Sequence, residues 1–154
     1  MKVRLTLLTL ILMIAVGSSV AQFGTDEKIV AVNALASQDK IVPGEELTLA
    51  LVLDIKPTLH INSNKPLSEF FIPTEISFEP VANLSFGQPQ FPAAELKTFS
   101  FSEEKVAIYE GQIIVFVTIS TSPSLQQAPQ TITGKVSYQG CNDNVCFAPN
   151  DAEF

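Results

Sequence analysis

Ten prolines punctuate the chain from Pro43 to Pro149, and they limit what it can fold into more than any other feature. Proline fixes φ, lacks a backbone N–H and breaks helix interiors, so long helices are excluded over most of the chain. The apolar runs between the prolines are short, and none keeps a 3.6-residue period. Instead they alternate. In Leu47-Thr48-Leu49-Ala50-Leu51-Val52-Leu53 the leucines occupy every second position. Successive strand side chains point to opposite faces, so this leucine face meets a core.

The same reading gives strands at Ile29 to Leu35, Leu59 to Asn62, Glu75 to Phe78, Leu84 to Phe86, Val106 to Tyr109, Gln112 to Ile119 and Thr131 to Tyr138. Val42-Pro43-Gly44-Glu45 is turn chemistry, and Ser63 to Pro73 reads as a loop broken by Pro66 and Pro73. Roughly seven or eight short strands with turns at this spacing predict an all-β, immunoglobulin-like antiparallel β-sandwich. No internal repeat or second domain is visible.

The first residues read as an address. Lys2 and Arg4 precede the apolar run Leu5 to Val16, and Gly17-Ser18-Ser19-Val20-Ala21 supplies a small-residue cleavage region. This is a secretory signal peptide over residues 1–21, too short in its apolar part for a spanning helix of about 20 residues. The expected mature domain is 22–154. Without Lys2 and Arg4, seven basic residues face sixteen acidic ones. That balance argues against nucleic acid and anionic membrane surfaces as partners.

Two cysteines close the chemistry of the chain: Cys141-Asn142-Asp143-Asn144-Val145-Cys146. Asn and Asp favour turns, so a strand entering at Val136 and an apolar Phe147 beyond suggest a hairpin. Opposed residues in such a pair lie about 4.5–5.5 Å apart, within the reach of a disulfide. Export allows the bond to persist. Its purpose stays open at this point. Exported pairs are usually structural, yet a six-residue loop stabilises by only roughly 2 kcal/mol, less than a staple between distant strands. The alternative is a dithiol that opens and closes. Four intervening residues and no helix exclude a thioredoxin motif. Two thiols and the distant His60 do not make a tetrahedral zinc site. His60, the single histidine, reads as a packed or surface residue rather than a general base. Asp143, inside the turn, would disfavour thiolate formation.

The stretch Tyr138-Gln139-Gly140-Cys141-Asn142-Asp143-Asn144-Val145-Cys146-Phe147-Ala148-Pro149 resembles the N-terminal domain of the thiol:disulfide interchange protein DsbD. Val42-Pro43-Gly44, Leu59-His60-Ile61-Asn62-Ser63 and Val106-Ala107-Ile108-Tyr109-Glu110-Gly111 extend the resemblance over most of Lys28 to Pro149. One departure is Asn150, where a second proline is common. The resemblance implies a periplasmic thiol–disulfide carrier that needs no cofactor or metal. Electrons would come from a membrane domain, in cis or in trans, and pass to thioredoxin-fold proteins such as disulfide isomerases and cytochrome c maturation factors. It implies that Cys146 forms the mixed disulfide and Cys141 resolves it. It also implies a cap loop with a shielding aromatic, for which Phe101 comes first and Phe99 second, each equally readable as plain core. Tyr138 and Tyr109 are candidates to flank the pair, although strand tyrosines are more often packing residues. Whether the chain is a fragment of a membrane reductase or stands alone stays open. Two rival functions remain: an exported binding module with a structural disulfide, and an adaptor that docks partners along sheet edges.

Overall fold

The computed structural model describes residues 28–126 and 128–154, and every regular element among them is a strand. The expected signal peptide lies outside the described residues. The first sheet runs β1 (Val30–Ala36), β2 (Glu46–Ile55), β8 (Gln112–Thr121), β5 (Leu84–Phe86). The second runs β10 (Gly140–Cys141), β3 (His60–Asn62), β7 (Val106–Glu110), β6 (Glu95–Lys97). The third is β11 (Asn150–Glu153), β9 (Gly134–Tyr138), β4 (Glu75–Phe78). All pairings are antiparallel, as the alternating sequence requires. The fold is the expected immunoglobulin-like sandwich.

The leucine stripe does what its period demands. Leu47, Leu49, Leu51 and Leu53 are all buried. They pair across β2 and β8 with Ile119, Val117, Val115 and Ile113. Fully burying each such side chain stabilises by about 1.5–3 kcal/mol, so these two strands form the mechanical centre. The opposite wall of the core comes from the other two sheets: Ile61, Tyr109, Val136, Tyr138 and Ala152. Tyr138 is wholly buried, and its hydroxyl accepts a hydrogen bond from Ile29 N at 3.2 Å. Burial without that bond would leave a polar atom unsatisfied.

Two crossings hang the second sheet from the first. Between β2 and β3 the chain turns through Thr58, at φ +67°. Between β7 and β8 it turns through Gly111, at φ +64°, a conformation that glycine adopts without a Cβ penalty. The Gly111 carbonyl accepts Ile55 N at 2.8 Å, which ties both crossings together. The short central strands β3 and β7 are thereby set by the longest strands of the molecule.

Three strands escape the sequence reading: β6, β10 and β11. β6 and β11 are polar edge strands, and Ala152 alone points inward from Asn150–Glu153. An edge strand with one buried side chain has no apolar period to detect.

Candidate functional site

The cysteines sit at the edge of the second sheet, on a hairpin built by local hydrogen bonds. Asn142 N donates to Val145 O at 3.0 Å, and Phe147 N donates to Gly140 O at 2.8 Å. The Asn142 side-chain oxygen accepts from Asn144 N and Val145 N, both at 2.9 Å, closing the turn as an Asx motif. Cys141 and Cys146 fall between these bonds as an opposed pair and are joined by a disulfide, with Cα atoms 3.9 Å apart. That is closer than the sequence spacing suggests. Neither cysteine backbone bonds to the other, and such non-hydrogen-bonded pairs approach more closely. The two sulfurs differ in access: Cys141 is 0% exposed, whereas Cys146 is partly exposed.

Gln139 fixes the hairpin to the rest of the sheet. Its Oε1 accepts from Asn62 Nδ2 at 3.0 Å and Ile72 N at 3.4 Å. Its Nε2 donates to Phe147 O at 3.2 Å, and its carbonyl accepts Asn62 N at 3.2 Å. One side chain thus holds β3, the 63–73 loop and the far arm of the cysteine turn.

Register assembles the outer face. Cys141 lies opposite His60, and His60 lies opposite Glu110. Directly paired residues share a face. Ile61, Tyr109 and Gly140 point the other way, to the core or its rim. His60 and Cys141 are nevertheless buried on this face, whereas Glu110 is exposed, and the segment between β6 and β7 folds against His60. Phe99 stacks on His60 with centroids 4.3 Å apart, Phe101 stacks on Phe99 at 5.2 Å, and Phe71 meets Phe101 edge-on at 6.4 Å. Ser100 Oγ donates to the Asp143 carbonyl at 3.0 Å, so the covering segment is bonded to the cysteine turn itself. Beside this stack lies a cleft of about 510 Å³ whose lining includes His60, Lys97, Phe99, Glu110 and Asp143.

Burial governs the electrostatics. His60 is held below its ordinary pKa, first by desolvation and further by Lys97, against the opposite pull of Asp143 and Glu110. Lys97 is raised, chiefly by its hydrogen bond to Glu110 at 2.5 Å. Burial also raises Tyr109, whose hydroxyl donates to Asn64 Oδ1 at 2.6 Å.

Of the residues singled out from sequence, Cys141, Cys146, Asp143, Phe99 and Phe101 come together here. Phe99 is the inner ring, stacked on His60, and Phe101 is the outer one, stacked on Phe99. Tyr138 and Tyr109 belong to the core cluster, where they pack. The sequence reading missed Gln139, Ser100 and Phe71, and it gave His60 no place beside a cysteine. Only strand register brings His60 there, and register is not local in sequence.

A buried cysteine bonded to a more accessible one, on an edge hairpin beside an aromatic stack, is an arrangement suited to exchange. The sequence profile of the thiol:disulfide interchange protein DsbD N-terminal family matches residues 27–154. The chain belongs to this family. Among curated proteins no sequence matches it. Solved DsbD-family structures resemble it. The N-terminal domain of Neisseria meningitidis DsbD in the reduced form is 21% identical, with 80% of this chain and 81% of that one covered, at a TM-score of 0.46. The complex between the DsbD N-terminal and PilB N-terminal domains of Neisseria meningitidis gives 20% identity, 86% of each chain and a TM-score of 0.49. The N-terminal periplasmic domain of ScsB from Proteus mirabilis is 16% identical, covering 84% of this chain and 47% of that one, at a TM-score of 0.53. The ScsB likeness speaks for the shared fold.

Proposed function

We propose that this DsbD-family domain is a periplasmic dithiol carrier that passes electrons from a membrane reductase domain to thioredoxin-fold partners through Cys141 and Cys146. The observation that carries the reading is the unequal access of the bonded sulfurs: Cys141 is 0% exposed, and Cys146 is partly open at a sheet edge. Attack in thiol–disulfide exchange goes to the sulfur that can be reached. Cys146 is therefore the partner-facing sulfur and Cys141 the resolving one. Phe99, with Phe101 outside it, shields the pair until a partner displaces the cover. A signal peptide over residues 1–21 is part of this reading.

The chemistry runs as follows. The Cys146 thiolate attacks a partner disulfide, forming a mixed disulfide and releasing one partner thiolate. The Cys141 thiolate then attacks Cys146 Sγ, restoring the internal bond and releasing the second partner thiolate. Two electrons leave this chain and the partner is reduced.

The test is trapping. Cys141→Ala, incubated with an oxidised thioredoxin-fold protein, accumulates a mixed disulfide at Cys146 that dithiothreitol dissolves. The wild-type pair equilibrates above roughly −300 mV. No trapped species, together with a bond that resists reduction in the folded state, assigns the disulfide to structure alone and leaves an exported binding module.

A further inference from the structure

Exchange at a buried sulfur has a proton to place. When a partner thiolate attacks Cys146 Sγ, the Cys141–Cys146 bond breaks and its electron pair leaves on Cys141 Sγ. Cys141 is wholly buried, where a thiolate is disfavoured, so that sulfur must take up a proton. In the opposite direction the Cys141 thiol must lose its proton before it attacks Cys146 Sγ and expels the partner sulfur. Cys141 itself is 0% exposed, so bulk water does not reach this sulfur directly.

We propose that His60 gives and takes this proton, as a positioning and proton-handling residue acting through Cys141. The inference rests on the reading of the pair as a reversible dithiol.

Three observations carry it. First, His60 is the register partner of Cys141, so the two side chains share a face, with Cβ atoms about 4.5–5.5 Å apart as in any directly opposed pair. Second, His60 is 3% exposed, and its Nε2 is buried with no hydrogen-bond partner among the described residues. A buried polar nitrogen without a partner calls for a reason, and a proton relay is one. Third, Phe99 stacked at 4.3 Å fixes the ring plane from the solvent side.

The surrounding charges fit the role. Burial keeps the imidazole neutral at pH 7, ready to accept. Asp143 from the cysteine turn and Glu110 from β7 favour the imidazolium once the proton arrives, and Lys97 from β6 opposes it. The covering segment presents the Phe99 ring to His60. In the resolving direction, the Cys141 S–H bond breaks as His60 accepts the proton, the new sulfur–sulfur bond to Cys146 forms, and the partner thiolate leaves. In the accepting direction, His60 first takes a proton from solvent in the cleft it lines and gives it to Cys141 Sγ as the Cys141–Cys146 bond breaks.

The reduced protein mixed with 5,5′-dithiobis(2-nitrobenzoate) separates the two steps. The first equivalent of chromophore reports attack by Cys146, and the second reports resolution by Cys141. In wild type the second phase gains rate through an inflection below pH 6.5. In His60→Gln and His60→Phe that inflection disappears and the second phase slows by about tenfold to a hundredfold at pH 7, while the first is not slowed. His60→Phe preserves a ring under Phe99, so it decides the matter if His60→Gln does not fold. A second phase with the wild-type pH profile in His60→Phe overturns the proton role and leaves the carrier reading standing. A wild-type protein that releases no first equivalent while folded overturns both.

Discussion

In β2 and β8, one face is apolar and buried, the other meets solvent, and no charged side chain is buried. In β3 and in β7 up to Tyr109, both faces are buried; His60 and Asn62 go in with them, as does Ser63 just beyond β3. Nε2 of His60 and Oδ1 of Asn62 lack partners among the described residues, whereas the β2–β8 pair leaves no such atom. The first pair of strands holds the molecule together. The second trades some of that stability for a buried polar surface next to two sulfurs, as functional regions commonly do.

The contrast breaks most visibly at Leu51, which is 0% exposed at the centre of β2. Leu51→Ala costs about 2–5 kcal/mol, seen as a lower urea midpoint. The rate at which dithiothreitol reduces the disulfide in the folded fraction stays as in wild type. A changed rate would mean that the two regions are energetically one.

Phe99→Ala does the converse. The ring is only partly buried, so stability falls by about 1 kcal/mol, while small thiols reduce the Cys141–Cys146 bond about tenfold faster because access governs exchange. Phe101→Ala, one ring further out, gives a smaller acceleration. Equal effects at both positions would show that the cover moves as one body.

Asp143→Asn removes a negative charge beside the thiols of the reduced form and lowers their pKa by a few tenths to about one unit. Titration by thiol absorbance checks this, and an unchanged value denies the carboxylate a part in the site.

The smallest effect is on the pH dependence of stability. Burial lowers the His60 pKa below 6.5, so between that lowered value and 6.5 the unfolded chain binds a proton that the folded chain does not. Stability therefore declines on acidification through this window and is complete above it. His60→Phe removes that contribution, and denaturant midpoints in the window then vary less with pH.

The same contrast decides what was legible beforehand. β2 advertises itself, because every second residue obeys the same burial rule. The cysteine hairpin is legible from its spacing and its Asx chemistry. His60 is not, because its importance lies in a pairing with a residue 81 positions later, set by strand register rather than by its neighbours. Gln139 reads as one more polar residue before a glycine, although its side chain joins β3, the 63–73 loop and the cysteine turn. The order of Phe99 and Phe101 follows from which ring reaches His60, and both look alike in sequence.

The acceptor of the Ser100 hydroxyl is the peptide oxygen of residue 143, not its carboxylate. The clasp between Ser100 and the cysteine turn is therefore indifferent to which side chain the turn displays at that point, provided the backbone keeps its course. Mutational drift is free to retune the polarity around the thiols without loosening the lid, so reactivity and closure answer to separate parts of the chain.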